Sequence, residues 1–360
     1  MAISKIKSIK AKAILDSRKN QTVEVELVTN QGSFFSSAPS GKSRGKFEAV
    51  ELRDKDGGVK KAISNIEKII APKLLGENVN NQKKIDQILI KLDGTKNKSK
   101  LGVNAILPVS MATCRAGALA ANLSLYSYIS QLIGNSSPPI LPRPCFNLIN
   151  GGVHAKDSLT IQEFLIIPQG KSFEENFRVG KRIYSKLKEI SRKKFKGIIR
   201  GDEGGFVLPL SKTSQVLDLL VEISPPGMEF GLDCAASQFF KNEKYQIDDK
   251  SFSREELLDF YNKLVKKYPI SYLEDPFAED DWQGWSLLKS KIQIVGDVLL
   301  ATNPARMKMA KKKSVCNATI IKLNQIGTVT EALEAVKLAK DFNWKIVISH
   351  RSGETRDDFI

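Results

Sequence analysis

The chain has 360 residues, enough for two or three domains at roughly 150 residues each, with 41% of them apolar and 27% charged. These values exclude a collagen-like, wholly disordered or membrane-embedded chain, and no run nears the roughly 18 consecutive apolar residues of a membrane helix. With 56 basic and 40 acidic side chains the formal net charge is +16, a balance that attracts acidic metabolites or polyanions.

The first residues, MAISKIKSIKAKAILDSR, have no apolar core and do not read as a secretory signal. Residues 2–37 read as strands. Val23, Val25 and Leu27 alternate with Glu24 and Glu26, the period of a half-buried strand, and a turn at Gln31-Gly32-Ser33 leads to a further short strand. Pro39-Ser40-Gly41-Lys42-Ser43-Arg44-Gly45 has the composition of a mobile loop. Val59, Ile63, Ile66 and Ile70 then share one helical face, and more helices are expected near 81–92, 104–121 and 124–132. Strands followed by helices make a small α+β domain over residues 1–135, with Ser136-Ser137-Pro138-Pro139 as its linker.

From residue 140 to 360 the pattern changes. Apolar runs near 145–149, 163–168, 228–232, 270–273, 292–295, 318–321 and 345–348 alternate with amphipathic stretches. Ser253 with Glu256 and Thr328 with Glu331 fit capping boxes, and Asn303-Pro304 fits an N-cap followed by proline at N1. Such alternation means an α/β domain on a parallel sheet, doubly wound or closed into a barrel. The four cysteines, Cys114, Cys145, Cys234 and Cys316, form no C-x-x-C pair, so a reducing, cytoplasmic setting is expected.

Five successive runs end in an ionisable residue: Asp233, Glu274, Asp297, Lys322 and His350. In a parallel barrel all such ends meet on one face, where active sites lie. Carboxylates gathered there repel one another unless they are protonated or hold a cation. Oxygen ligands with no cysteine or obligatory histidine indicate Mg²⁺ or a similar hard ion. Asp233, Glu274 and Asp297 are the expected ligands. Lys322, beside divalent charge and away from water, would favour its neutral form and serve as a general base. The two histidines, His154 and His350, lie in polar, glycine-flanked segments and are expected to line the same pocket. Gly201-Asp202-Glu203-Gly204-Gly205 and Gln162-Glu163 offer the acid partner, Glu203 or Glu163. Ser40-Gly41-Lys42-Ser43 is not a P-loop, because Ser36 stands where that motif needs glycine.

With these residues in place the chain resembles the enolase family along nearly its whole length. The segments that carry the resemblance include PSGKSRGKFEAVELRD, NLINGGVHAKDSLTIQEFLIIP, GDEGG, YPISYLEDPFAEDDW, IVGDVLLATNP, IIKLNQIGTVTEA and ISHRSGET. The resemblance implies an enolase-type (α/β)₈ barrel that starts with antiparallel elements, preceded by the small α+β domain. It implies reversible dehydration of 2-phosphoglycerate to phosphoenolpyruvate, with two Mg²⁺ per site. Asp233, Glu274 and Asp297 would hold one ion, and Ser43 would help hold the second. Lys322 would take the C2 proton, and Glu203, supported by Glu163, would protonate the leaving hydroxyl. Arg351 and Ser352 would bind phosphate, where a guanidinium fork suits the oxyanion. His154, Gln162 and His350 would line the pocket. A cytoplasmic homodimer is implied, with a secondary display on the cell surface by family analogy. Nucleic acid is not the expected partner.

The chain also departs from the family pattern. Enolases continue past SHRSGET into an eighth strand bearing a lysine, so the expectation is a barrel without its last strand and helices. Val298 follows Asp297 where the family has a second Asp. Lys42 and Arg44 flank Ser43 in place of Ala and Thr, Lys19 and Gln21 replace Gly and Pro, and Gln238 stands for Glu. A second reading follows from these departures and the charge of +16. It is a catalytically impaired enolase-like chain acting as a basic surface for polyanions.

Overall fold

Val23, Val25 and Leu27 are fully buried, as their alternation with Glu24 and Glu26 requires. They lie on the middle strand of an antiparallel sheet of three, β1 (Ile6–Leu15), β2 (Gln21–Thr29) and β3 (Gly32–Ser37). The computed structural model describes residues 4–135, 137–155, 159–195, 197, 199–288 and 291–360. Ser136 of the expected linker lies outside them.

The chain divides into two compact units. One comprises Met1–Pro139, Leu300–Lys308 and Ile320–Ile360; the other comprises Ile140–Leu299 and Met309–Thr319. In the first, helices Gln82–Asp93, Val103–Ala120 and Leu125–Leu132 follow the sheet, close to their expected bounds. Helix Val103–Ala120 is long and apolar enough to cross a membrane by length and composition alone, yet 89% of it is buried inside the protein. It is the core helix of this unit. The stretch bearing Ile66 and Ile70 is helical but interrupted by a wide π turn over Ile66–Ile70, in which Ala71 N–H donates to the Ile66 carbonyl. Pro72 follows and cannot donate to the Lys68 carbonyl, which favours the wider turn.

In the second unit, β4 (Phe146–Asn150) and β5 (Glu163–Ile167) are antiparallel, and β5 is antiparallel to β8 (Glu229–Asp233). Before β8 comes the short antiparallel pair β6 (Ile199–Arg200) and β7 (Phe206–Val207), with β7 parallel to β4. A small meander follows β8: β9 (Phe240–Lys241), β10 (Lys244–Ile247) and β11 (Lys250–Phe252). Then β12 (Ile270–Glu274) joins β8 in parallel and β13 (Gln293–Gly296) joins β12. β14 (Ala318–Ile321) pairs its first two residues with Val295 and Gly296 of β13. The run of apolar segments alone predicts a wholly parallel sheet; the antiparallel start is the feature that only the family resemblance implied. Ser253 and Glu256 form the expected capping box.

The late segments of the first unit return to its core. Val329 and Phe359 pack with Val103, Leu107 and Met111. Asn303 Oδ1 accepts from Ala305 and Arg306 N–H, the expected N-cap ahead of helix Pro304–Lys313. Thr328 Oγ1 caps helix Val329–Asp341 by accepting from Glu331 N–H. β15 (Lys345–Ile348) leads into Ser349, whose N–H donates to the Ile321 carbonyl.

Candidate active site

In the second unit, strand register gathers the acidic residues. Asp233, the last residue of β8, is paired with Glu163 at the start of β5 on one side and with Glu274 at the end of β12 on the other. Paired residues of neighbouring strands face the same side of a sheet about 4.8 Å apart, so three carboxylates from three strands share one edge. Asp297 follows β13 directly, two residues beyond the Val295 that pairs with Glu274. Asp233, Glu274 and Asp297 are all buried.

Glu163, Asp233 and Glu274 each accept from a defined donor. Asn147 Nδ2 donates to Glu163 Oε1 at 2.8 Å. Gln162 Nε2 donates to Asp233 Oδ2 at 2.8 Å, and Ala235 N–H donates to Asp233 Oδ1 at 3.0 Å. Tyr272, two residues before Glu274 and therefore on the same face, donates its hydroxyl to Glu274 Oε2. Buried Asp275 accepts from the N–H groups of Asp297 and Val298 at 3.0 and 2.8 Å, which orders the backbone at Asp297.

The Gly201–Gly205 loop brings Glu203 to His154. Nε2 of buried His154 lies 3.5 Å from Glu203 Oε1, and its Nδ1 lies 3.7 Å from Asp202 Oδ2. The loop closes on itself through Gly201 N–H and the Gly205 carbonyl at 2.9 Å. Its two end glycines sit against Asn150. A Cβ on Gly201 would lie 2.6 Å from Asn150 Oδ1, and a Cβ on Gly205 would lie 2.7 Å from it. Fully buried Asn150 thus fixes how close the Glu203 loop comes to β4.

Electrostatics follow from this crowding. Loss of water holds the Glu163 carboxyl well above its ordinary 4.5, and the charges of Glu203, Asp233 and Glu274 add to the effect. Burial likewise raises the Asp275 carboxyl, with Asp297 and then Asp233 reinforcing it. The Tyr272 hydroxyl is raised by burial and by Glu274. A half-buried acid crowded by three others needs either protons or a cation. The donor set is carboxylate oxygen on a rigid sheet edge, which fits a hard divalent ion. Asp233, Glu274 and Asp297, at neighbouring strand ends, are the candidate ligands.

In the first unit, Lys322 directly follows β14, and its N–H donates to buried Thr302 Oγ1 at 3.0 Å. His350 is exposed, two residues past β15. Arg351 and Ser352 are buried and anchored to the Ser43 loop. Arg351 Nη1 donates to Glu48 at 2.8 Å and Nη2 to the Ser43 carbonyl at 3.3 Å, while Ser352 Oγ accepts from Lys42 N–H at 2.8 Å. Ser40 and Gly353 exchange backbone bonds, each at 2.8 Å. A Cβ on Gly41 would lie 1.8 Å from Arg351 Nη2, so a side chain there would push the Arg351 guanidinium from its place. The segment that reads as mobile from its composition is docked, in this structure, on the residues expected to bind phosphate.

Residues 6–129 match the family described as "Enolase, N-terminal domain", and residues 138–360 match "Enolase, C-terminal TIM barrel domain". The chain belongs to the enolase family. It is 47% identical to "Enolase" of Mastigamoeba balamuthi, over 99% of this chain and 88% of that protein. It is 48% identical to "Enolase B" of Dictyostelium discoideum, over 99% of this chain and 87% of that one. It is 46% identical to "Enolase 1" of Entamoeba histolytica, over 99% and 88%. The fold is therefore the α/β enolase fold, a TIM barrel domain with its N-terminal domain. The enzyme class is phosphopyruvate hydratase, a lyase of glycolysis.

Four supporting residues escaped the reading of motifs. Asn147 and Asn150 stand three apart in the strand ahead of Gly151-Gly152, an excess of carboxamides in an apolar run that could have marked them. Tyr272 was legible from the two-residue strand period. Asp275 follows Glu274 in the same motif, but its role as an acceptor for Asp297 and Val298 depends on a contact between two loops.

Proposed function

We propose that the chain catalyses the Mg²⁺-dependent, reversible dehydration of 2-phosphoglycerate to phosphoenolpyruvate. The observation that carries this reading is the shared register of Glu163, Asp233 and Glu274 on three neighbouring strands, in a chain of the enolase family. Asp233, Glu274 and Asp297 would hold one Mg²⁺, with Ser43 contributing to a second. When bound, Mg²⁺ supplies fixed positive charge against the substrate carboxylate, which makes the adjacent C2 proton easier to remove.

The chain's own residues divide the proton work. Lys322 Nζ takes the C2 proton as general base. Glu203 gives a proton to the departing C3 hydroxyl, and water leaves. Glu163, which holds its own proton well above the ordinary carboxylate range, supports Glu203 as acid. His154 beside Glu203 keeps that carboxyl oriented. Arg351 and Ser352 bind the phosphate, and His350 and Gln162 complete the lining. The same reading has the protein working as a cytoplasmic homodimer, which sedimentation of the pure protein would check.

The test is a turnover assay. Purified protein with 2-phosphoglycerate and excess Mg²⁺ should produce the ultraviolet absorbance of phosphoenolpyruvate, and chelation of the metal should stop it. No product under saturating substrate and Mg²⁺ would sink the proposal and favour the catalytically silent, polyanion-binding reading instead.

A further inference from the structure

The loop carrying His154 and the strand end carrying Asp233 are joined by a line of amide hydrogen bonds. Val153 N–H donates to Gln238 Oε1 at 3.3 Å. Gln238 Nε2 donates to Gln162 Oε1 at 2.5 Å. Gln162 Nε2 then donates to Asp233 Oδ2 at 2.8 Å. Gly152, at φ +54°, lets the backbone pass beside this line, and a Cβ there would come within 3.1 Å of Gln238 Oε1.

The polarity of this line is fixed at both ends. A backbone N–H can only donate, so Gln238 must turn its oxygen to Val153 and its NH₂ to Gln162. Gln162 Nε2 faces Asp233, and in the ionised form that receives a cation Asp233 can only accept, which holds this orientation. A carboxamide is nearly symmetric in shape, and its orientation is decided by such partners. Were Gln162 reversed, its oxygen would face the Asp233 carboxylate. Gln238 prevents this by occupying that oxygen.

We propose that Gln238 is a positioning residue for the cation site. By donating to Gln162 it holds the Gln162 amide, and through it one oxygen of Asp233, in the orientation that receives a divalent ion. This inference rests on the Mg²⁺ reading above. It assigns no contact between Gln238 and the ion or substrate.

The test is Mg²⁺ affinity, measured by titration calorimetry on the metal-free protein with Mg²⁺ alone as the probe. Removing a donor that directly orients a metal ligand weakens binding by roughly 10–100-fold, so Gln162→Met should fall in that range. Gln238→Met and Gln238→Leu, one step further out, should weaken it by roughly three- to tenfold. If Gln238 acts through Gln162, the double variant Gln162→Met/Gln238→Met should bind Mg²⁺ within about twofold of Gln162→Met alone. Melting curves without metal establish that each variant is folded, and the two replacements at position 238 guard against one that is not.

Affinity within twofold of wild type for both Gln238 variants overturns the inference, and so do fully multiplicative losses in the double variant. Either result leaves the Mg²⁺ reading intact if Gln162→Met still loses affinity. A wild-type protein that takes up no Mg²⁺ overturns both.

Discussion

Asp233 and Glu274 are paired residue to residue at the C-terminal ends of two adjacent parallel strands, both buried. Two carboxylates in that relation repel, and Glu163 on the other side of Asp233 makes three. The structure tolerates the arrangement because each acid has a donor and because Glu163 holds its proton to unusually high pH.

Neutralising one member should therefore separate binding from stability. Asp233→Asn should weaken Mg²⁺ binding by at least about 100-fold, beyond the range for outer donors. The same change removes a repulsive charge, so the metal-free melting temperature should stay level or rise. Calorimetric titration together with melting curves in chelator checks both. A lower metal-free melting temperature with unchanged Mg²⁺ affinity would contradict the assignment.

The Glu203 loop should be sensitive to a single methyl group. A Cβ on Gly205 would lie 2.7 Å from Oδ1 of fully buried Asn150 and 2.9 Å from Oδ1 of half-buried Asn147. Gly205→Ala should shift the loop and cost about 1–3 kcal/mol of stability. The larger effect should be on kcat, a loss of roughly 100-fold, because displacing a catalytic group by about 1 Å costs that much. Steady-state kinetics should show KM changing far less than kcat.

Asp86 should give the first unit a pH dependence of its own. Its carboxyl is fully buried and accepts from Ser110 Oγ at 2.6 Å, Thr330 N–H at 2.9 Å and Gln82 Nε2 at 3.1 Å. Burial pushes this acid above its ordinary 3.8, and those hydrogen bonds only partly offset the shift. A carboxyl that holds its proton more tightly when folded makes folding take up a proton in the window that opens near pH 3.8. Stability is therefore fully present below that window and falls as pH rises through it, by about 1.4 kcal/mol for each unit separating folded and unfolded values. Asp86→Asn should abolish this slope. Urea unfolding from about pH 4 upward, compared between the two proteins, reads it directly. Parallel slopes would contradict the prediction.

Much of this was written in the order of residues along the chain. The alternation around Val23 and Leu27 and the caps at Ser253 and Asn303 depend on neighbours in sequence, and each could be read there. The acidic strand ends were legible for the same reason, since a charged residue closing an apolar run is a local signal. What could not be read depends on pairing between distant segments. The antiparallel placement of β5 beside β8 leaves no mark in a short apolar run, which looks alike in either direction. The π turn at Ile66–Ile70 preserves helical apolar spacing and hides behind it. Asn150 against Gly201 and Gly205 is a contact across fifty residues, visible only once the loop is folded.

The division of labour between base and acid can be tested by one measurement, the exchange of the substrate's C2 proton with deuterium from solvent, followed by NMR in the presence of Mg²⁺. On the proposed assignment, removal of that proton by Lys322 does not require the hydroxyl to leave. Glu203→Gln should therefore still exchange the C2 proton while forming almost no phosphoenolpyruvate, and Lys322→Ala should do neither while binding Mg²⁺ as wild type does. Exchange that persists in Lys322→Ala, or that disappears together with turnover in Glu203→Gln, would contradict the assignment of these two residues.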